Sequence, residues 1–249
     1  MQTVFPILEK LMYDMDEQVR DKAIVVVGEM RKVVNDDEKE RIMKLTLDLA
    51  HEESNEKSRE SAVKLINELA PDMGQEVCEH FIVQEFCSLG FDNSALVRQS
   101  IARNLVTISK NVSIECFLQK IFPLYKNMLT KDKEEKVRKT CADVIADFAQ
   151  VSPIDTTATD LQDLYFGFLQ DGYSKIVRGT AFQNIGPFIA CFKDQKPIDP
   201  RIINFFINTT EKTTSKDVTF YASINFPAFI YVTGPSEWSR YRKLYLKLA

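Results

Sequence analysis

The chain has 249 residues, of which 45% are hydrophobic and 27% are charged, a composition typical of a folded protein and not of a disordered one. Its formal net charge is −4, and its lysines and arginines are not clustered. Because binding a polyanion requires concentrated positive charge, a nucleic-acid partner is not expected. Only eight glycines occur, which argues against glycine-rich phosphate loops.

The N-terminal residues, the apolar runs and the cysteines together indicate a cellular compartment. The N-terminal residues MQTVFPILEK lack a basic start followed by an apolar core, so a signal peptide is not expected. The longest apolar runs, such as 226–232, are much shorter than a membrane span. The five cysteines follow no disulfide pattern. We therefore expect a cytoplasmic or nuclear protein without a membrane partner.

A short phrase that closes on arginine recurs along the chain at intervals of 39 or 40 residues. A repeat of this period is typical of stacked helix pairs, each of which buries its apolar face only against its neighbours. The phrase closes at five residues: Arg20, Arg59, Arg98, Arg138 and Arg178. The period therefore predicts a helical solenoid.

The residues around each arginine are also repeated. An acidic residue lies six or seven positions before it: Asp14, Glu53, Asp92, Asp132 and Asp171. Four positions before it lie Asp16, Asn55, Ser94, Glu134 and Ser174, and four of these five are strong helix N-caps. Alanine follows three or four positions later, and an aliphatic residue follows seven positions later. This spacing predicts a second helix with a buried stripe in each repeat.

Apolar segments with helical spacing precede each phrase and predict the first helices. In chain order they are 4–13, 39–50, 77–91, 114–129, 159–169 and 200–212. A sixth phrase has Ser215 at the cap position and Thr219 in place of arginine. We predict one all-α domain over 1–249, a right-handed α-α superhelix of about six repeats and a partial seventh. The repeats are approximately 1–36, 37–73, 74–112, 113–152, 153–193, 198–234 and the partial 235–249.

Two prolines interrupt this pattern, since Pro187 and Pro227 lie inside the predicted fifth and sixth second helices. Proline removes a backbone hydrogen bond and its ring clashes with the preceding turn. We predict that both helices are kinked or end early.

The repeated arginines have two interpretations. They could grip an acidic partner, or each could bond the acidic residue of its own or the adjacent turn and so form a structural ladder along the repeats. The fixed acidic residue and the buried stripe beside each arginine favour the ladder. Its members are the five arginines and the five acidic residues named above.

The residues offer no clear catalytic or metal site. The two histidines are His51 and His80, and although His80 lies near Cys78 and Cys87, the spacing fits no zinc family. Acidic pairs such as Glu134 and Glu135 precede helices, where carboxylates complement the helix dipole. We expect no catalytic residue, no cofactor and no metal ion, and hence a protein that is not an enzyme.

The phrase V-R-x-x-A after an acidic turn, with proline in first helices at Pro6 and Pro123, resembles the HEAT repeat. The segments VRKTCADVIADFAQVSP (137–153) and IVRGTAFQNIGPFI (176–189) are similar to the HEAT-repeat regulatory subunits of protein phosphatase 4. That family is related to the scaffold subunit of protein phosphatase 2A.

This resemblance implies a non-catalytic scaffold whose turns and second helices cradle a phosphatase catalytic subunit or other regulatory proteins. It implies a chain that is monomeric within a hetero-oligomer. The implied protein-binding ridge comprises Asp16, Glu17, Gln18, Asn55, Lys57, Asn93, Ser94, Lys133, Glu134, Tyr173 and Lys175.

Two other functions stay open at this point. The chain could be another HEAT-repeat scaffold, acting in nuclear transport, in a vesicle coat or on chromosomes, because these proteins share the same repeat physics. An enzyme built on helical repeats, such as a base glycosylase, would need a basic groove lined by aromatic side chains. Such an enzyme would also need a buried carboxylate, and an acidic concave face would argue against it.

Overall fold

A computed structural model describes residues 4–30, 33, 35–172 and 174–249 of the chain. Within those ranges every regular element is a helix, and no strand is present. None of these helices combines the length and the apolar character needed to cross a bilayer. The predicted all-α repeat fold is confirmed. The chain divides into two compact units, Met1–Met128 and Leu129–Ala249.

In its described residues, the first unit holds three and a half helix pairs, in which α2 packs on α4 and α4 packs on α7. Short turns join the two helices of each pair, as in an αα-hairpin. The elements are α1 (Phe5–Leu11), α2 (Glu17–Met30), α3 (Asp36–Ala50), α4 (Glu56–Met73), α5 (Gln75–Val77), α6 (Val83–Leu89), α7 (Ala95–Lys110), α8 (Ile114–Cys116) and α9 (Phe122–Lys131), the last of which reaches into the second unit.

The second unit continues the same plan, with α10 packed on α12 and α13, and α13 packed on α15. Its elements are α10 (Glu135–Val151), α11 (Ile154–Leu169), α12 (Lys175–Gln183), α13 (Ile185–Ala190), α14 (Pro200–Lys212), α15 (Lys216–Thr233) and α16 (Trp238–Leu248). The predicted bounds of the sixth first helix, 200–212, agree with α14.

The repeated small and aliphatic positions form the core, as their spacing predicts. The alanines Ala23, Ala62, Ala102, Ala142 and Ala181 are buried, and so are Val27, Ile66, Leu105, Ile145 and Ile185. Side chains at these positions lie on one face of each second helix because they recur at helical spacing. Alanine in the middle of that face lets neighbouring helices approach closely.

Two first helices contain a π-helical turn at the same place in their repeats. The turns are Cys78–Ile82, between α5 and α6, and Phe117–Ile121, between α8 and α9. Nothing in the local sequence predicts them. A π turn is rare and inserts a residue into the helical ladder, and both of these turns contact helices of the preceding repeat.

The fifth second helix is interrupted close to Pro187, which confirms the prediction made for it. Helix α12 ends at Gln183, Asn184 adopts φ −98° and ψ 11°, and α13 begins at Ile185. Helix α15, in contrast, continues through Pro227 to Thr233, so the early end predicted there does not occur. Packing of α15 against α12, α13, α14 and α16 offsets the loss of one helical hydrogen bond.

Two glycines of the fifth repeat are expected to respond in opposite ways to alanine. An added Cβ at Gly179 meets no atom within 4 Å, whereas at Gly186 it would lie 2.5 Å from Asn225 Oδ1. Gly179→Ala should raise the free energy of unfolding by about 0.5 to 1 kcal/mol, because alanine loses less backbone entropy in a helix. Gly186→Ala should lower it by about 1 to 3 kcal/mol through overpacking. Urea unfolding of both variants tests this, and a loss of stability in Gly179→Ala would contradict it.

Candidate functional site: the turns between paired helices

The predicted ridge lies on the turns that join the first and second helices of each repeat. Most of its side chains are exposed, including Gln18, Lys57, Lys133, Glu134 and Lys175. Tyr173 lies outside the described residues. The ridge is therefore a series of short polar turns, each presented by the two helices beside it.

Each repeated arginine donates hydrogen bonds to backbone carbonyl oxygens of its own turn. Arg20 Nη1 donates to the carbonyls of Asp14 and Met15, at 2.8 and 3.2 Å. Arg59, Arg98 and Arg138 make the same pair of bonds in their turns, to residues 52 and 53, 92 and 93, and 132 and 133. Arg178 Nη1 donates to the carbonyl of Asp171. We call this arrangement the arginine clamp.

The acidic residues of the turns also accept hydrogen bonds within the same turns. The carboxylates of Asp14, Asp92, Asp132 and Asp171 each accept a hydrogen bond from a backbone N–H two or three residues later. In the second repeat Glu52 takes this role for Ser54, and Glu53 contributes its carbonyl to the clamp. These bonds fix the turn before each second helix begins.

Arg59 and Arg138 also reach the next repeat. Arg59 Nε and Nη2 donate to the Asp92 carboxylate at 2.7 and 3.0 Å, and both side chains are 9% exposed. In the second unit, Arg138 Nε lies 3.3 Å from Asp171 Oδ2. The pairing of Arg59 with Asp92 is bidentate and so has a defined geometry as well as energy. The clamp thus ties neighbouring turns together inside each unit.

Burial favours the structural interpretation of the arginines over the gripping one. Arg20, Arg59 and Arg138 are buried, and their guanidinium groups already donate to the turn carbonyls. A partner protein would have to break these bonds to reach the charges. The exposed ridge residues around the arginines are the accessible groups.

Several ridge side chains are themselves committed to helix capping. Asp16, Asn55 and Ser94 accept hydrogen bonds from backbone N–H groups of the helices that follow them. Ser174 does the same in the fifth repeat, whereas Glu134 makes no cap bond. These positions agree with the four strong caps seen in the sequence.

Other ridge side chains bond to neighbouring repeats. Asn93 Oδ1 accepts from Arg59 Nη2 at 3.1 Å. Glu17 Oε1 accepts from Lys64 Nζ at 3.1 Å, and this hydrogen bond lowers the pKa of Glu17. The remaining charged ridge residues, Lys57, Lys133, Glu134 and Lys175, are exposed and make no ion pair with any residue that the structure describes.

A groove of about 610 Å³ lies beside the ridge in the second unit. The turn residues Asp132 and Lys133 line one side, and Asp163, Gly167 and Phe168 of α11 line the other. The repeated phrase predicted the turn residues but not the α11 side of the groove, because that phrase covers only residues near the arginine. In the second unit, the groove adds to the ridge a concave surface lined by residues of both charges.

The histidines bond to nearby groups in the first unit. His51 Nε2 lies 3.0 Å from Glu85 Oε2, and His80 Nδ1 lies 2.8 Å from the Glu76 carbonyl. Among the described residues, no three His, Cys, Asp or Glu side chains come together as possible metal ligands.

The cysteine thiols are partly or fully buried, and their titration gives a testable pH dependence. Burial raises the pKa values of Cys78, Cys87 and Cys191 to about 11, and raises that of Cys141 further. As pH rises above about 9, the unfolded chain therefore loses its thiol protons before the folded chain does. Stability contributed by these thiols is present below that pH and is lost as pH rises through the folded pKa values.

We accordingly expect the free energy of unfolding to fall between pH 9 and about 11. Urea unfolding at pH 7.5, 9 and 10 measures it. A variant with Cys78, Cys87 and Cys191 replaced by alanine is the control, because its stability should depend less steeply on pH. Equal slopes for the two proteins would contradict the assignment to the thiols.

A family profile and two named relatives match this chain. The HEAT-repeat family profile matches residues 121–152, which contain α10 and the turn held by Arg138. The chain is 27% identical over 206 residues to serine/threonine-protein phosphatase 4 regulatory subunit 1 of Mus musculus, covering 77% of this chain and 22% of that protein. The Homo sapiens protein of the same name is 26% identical over 193 residues, covering 76% and 20%.

Solved structures show the same fold at low sequence identity. Kap95p bound to RanGDP matches 99% of this chain and 33% of its own, with a TM-score of 0.75 and 16% identity. Kap121p, as a D353K/E396K/D438K mutant, matches 97% of this chain and 24% of its own, with a TM-score of 0.66 and 12% identity. At these identities the likeness concerns the fold alone.

The predicted resemblance is thus confirmed, although the chain spans only about a fifth of the length of the curated relatives it matches. The fold, the repeat profile and the sequence similarity agree with one another. The chain is a helical-repeat solenoid that contains a HEAT repeat and is similar to phosphatase 4 regulatory subunit 1 over about three quarters of its length.

Proposed function

We propose that this chain is a non-catalytic scaffold or regulatory subunit of a serine/threonine phosphatase of the phosphatase 4/2A type. The observation that carries the proposal is the similarity to phosphatase 4 regulatory subunit 1 over 77% of the chain. The ridge supplies a surface suited to this role. Buried clamps hold its turns rigid, so exposed side chains can contact a partner without a large loss of conformational entropy.

The catalytic subunit, or a targeting protein, contacts the ridge through the exposed charged residues and the groove beside α11. Lys133 lines that groove, and Lys175 opens the following second helix. Both side chains are exposed and take no part in the clamps. They combine accessibility with a rigid backbone, which suits a residue that determines partner specificity.

Direct binding of the purified chain to the catalytic subunits of phosphatase 4 and phosphatase 2A tests the proposal. We expect micromolar or tighter binding by biolayer interferometry, weakened about tenfold by Lys133→Glu combined with Lys175→Glu. The matched control is Lys44→Glu, an exposed lysine on α3 outside the ridge. Absence of binding to either catalytic subunit, combined with binding to Ran, would replace the proposal by the transport alternative.

A further inference from the structure

The second helices of the second unit present a solvent-facing stripe whose chemistry changes from repeat to repeat. In α10 the stripe consists of Lys139, Asp143 and Gln150, and Lys139 Nζ forms an ion pair with Asp143 Oδ2 at 2.5 Å. In α12 and α13 the corresponding residues are Gly179, Gln183 and Ala190. Charged and small residues at these places are ordinary for a solvated helix face.

In α15 the same stripe is apolar. It consists of Phe220, Ile224 and Tyr231, whose side chains are 60%, 58% and 58% exposed. Their spacing of four and seven residues places them on one face of the helix, over a length of about 16 Å. Three large apolar side chains in one row on a solvated face indicate a contact surface and not scattered surface residues.

The stripe is not the seam at which one repeat packs on the next. The seam is marked by Gly186, which is buried against Asn225 and Ala228 of α15. The stripe positions of α12, Gly179 and Gln183, stay exposed although α15 packs beside that helix. Stacking a further helix pair on α15 would therefore leave Phe220 and Ile224 open to solvent.

Lysines lie at both ends of the apolar stripe. Lys175 and Lys216 are exposed in the first turns of α12 and α15, and neither pairs with an acidic side chain in the part of the chain that the structure describes. At the other end, Lys193 Nζ lies 3.5 Å from the centre of the Tyr231 ring.

Acidic side chains balance this charge only in part. Asp217 follows Lys216 in the first turn of α15, where it complements the helix dipole. Asp194 lies 3.9 Å from Lys193 and is mostly exposed, which makes it a weak partner. The stripe thus has an apolar centre with basic ends.

Gly179 adds space beside this surface. No atom lies within 4 Å of a Cβ built on it, and α12 packs against α15. A large side chain from another molecule can occupy that space.

We propose that the apolar stripe of α15 is a docking surface for an amphipathic helix of a partner protein. The partner helix packs its apolar residues along Phe220, Ile224 and Tyr231, as one helix packs in the groove of another. Acidic residues that flank its apolar face meet Lys175 and Lys216 at one end and Lys193 at the other. The apolar centre of this surface lies outside the turn ridge, with which the surface shares only Lys175, and its assignment does not depend on which protein binds there.

A displayed library of peptides of about 14 residues tests the docking surface, since that length covers the stripe in helical form. Selection uses the wild-type chain, with prior depletion on the variant carrying Phe220→Ser and Ile224→Ser. We expect the selected peptides to carry apolar residues at spacings of three and four, with acidic flanks. Their binding, measured by fluorescence anisotropy, should weaken about tenfold or more in the double variant.

The controls distinguish specific binding at this surface from non-specific apolar binding and from self-association. Phe81→Ser removes an equally exposed phenylalanine from the first unit and should leave the affinity unchanged. Lys216→Glu changes a lysine outside the turn ridge and should weaken binding, as should added salt. The proposal is overturned if no peptide discriminates the wild type from the double variant, or if the selected peptides are basic. It is also overturned if sedimentation shows wild-type dimers that the double variant abolishes, since the occupant is then a second copy.

Discussion

Replacing Arg59 by methionine should lower the free energy of unfolding of the first compact unit by about 3 kcal/mol. The guanidinium group of Arg59 donates to the carbonyls of Glu52 and Glu53, to both oxygens of Asp92 and to Asn93 Oδ1. Methionine keeps the apolar stem but leaves two turn carbonyls without this donor. It also leaves the Asp92 carboxylate, 9% exposed, without its cation.

Urea unfolding monitored by circular dichroism measures this loss, and a second substitution tests its cause. Asp92→Asn removes the uncompensated charge but keeps the oxygen that accepts from Ser94 N–H at 2.7 Å. The Arg59→Met, Asp92→Asn double variant should therefore recover about 1 to 2 kcal/mol of the loss. Arg138→Met should cost less than Arg59→Met, because Arg138 Nε makes one contact of 3.3 Å with its aspartate. A cost below about 1 kcal/mol for Arg59→Met would mean that the pair acts as a surface ion pair.

The elements that could be predicted from the sequence are those in which local and repeated signals agree. The caps at Asp16, Asn55, Ser94 and Ser174 follow from side-chain chemistry that acts over two or three residues. The buried alanine and aliphatic stripe follows from helical period alone. The break before Pro187 follows from a property of proline.

The features that could not be predicted depend on contacts between repeats or on backbone direction. The π turns at Cys78–Ile82 and Phe117–Ile121 have no local signature. The arginine clamp binds carbonyl oxygens, and the sequence does not show where these oxygens point. Pro227 stays inside a continuous helix because four neighbouring helices support α15. Local rules thus located the turns of the candidate site, and tertiary packing determined which side chains there are accessible.

Asn225 shows how a distant residue completes a helix that proline interrupts, and its replacement by leucine should cost about 3 kcal/mol. Because Pro187 has no N–H, the carbonyl of Gln183, four residues earlier, loses its helical partner. Asn225 Nδ2 donates to that carbonyl at 3.0 Å, and Asn225 Oδ1 accepts from Gly186 N–H at 2.8 Å. Asn225 is 2% exposed and Gly186 is buried, so leucine leaves the Gly186 N–H without a partner and removes a donor from the Gln183 carbonyl.

A double-mutant cycle with Pro187→Ala distinguishes this role from simple packing. Alanine at 187 supplies an N–H that can bond the Gln183 carbonyl, so Asn225→Leu should cost less in that background, by about 1 kcal/mol. Asn225→Asp provides a second readout, because an ionised carboxylate cannot donate to Gln183 whereas a protonated one can. Its destabilisation should therefore be larger at pH 7.5 than at pH 5, relative to the wild type at each pH. Additive free energies in the cycle, together with a pH-independent effect of Asn225→Asp, would show that Asn225 only fills space where α13 packs on α15.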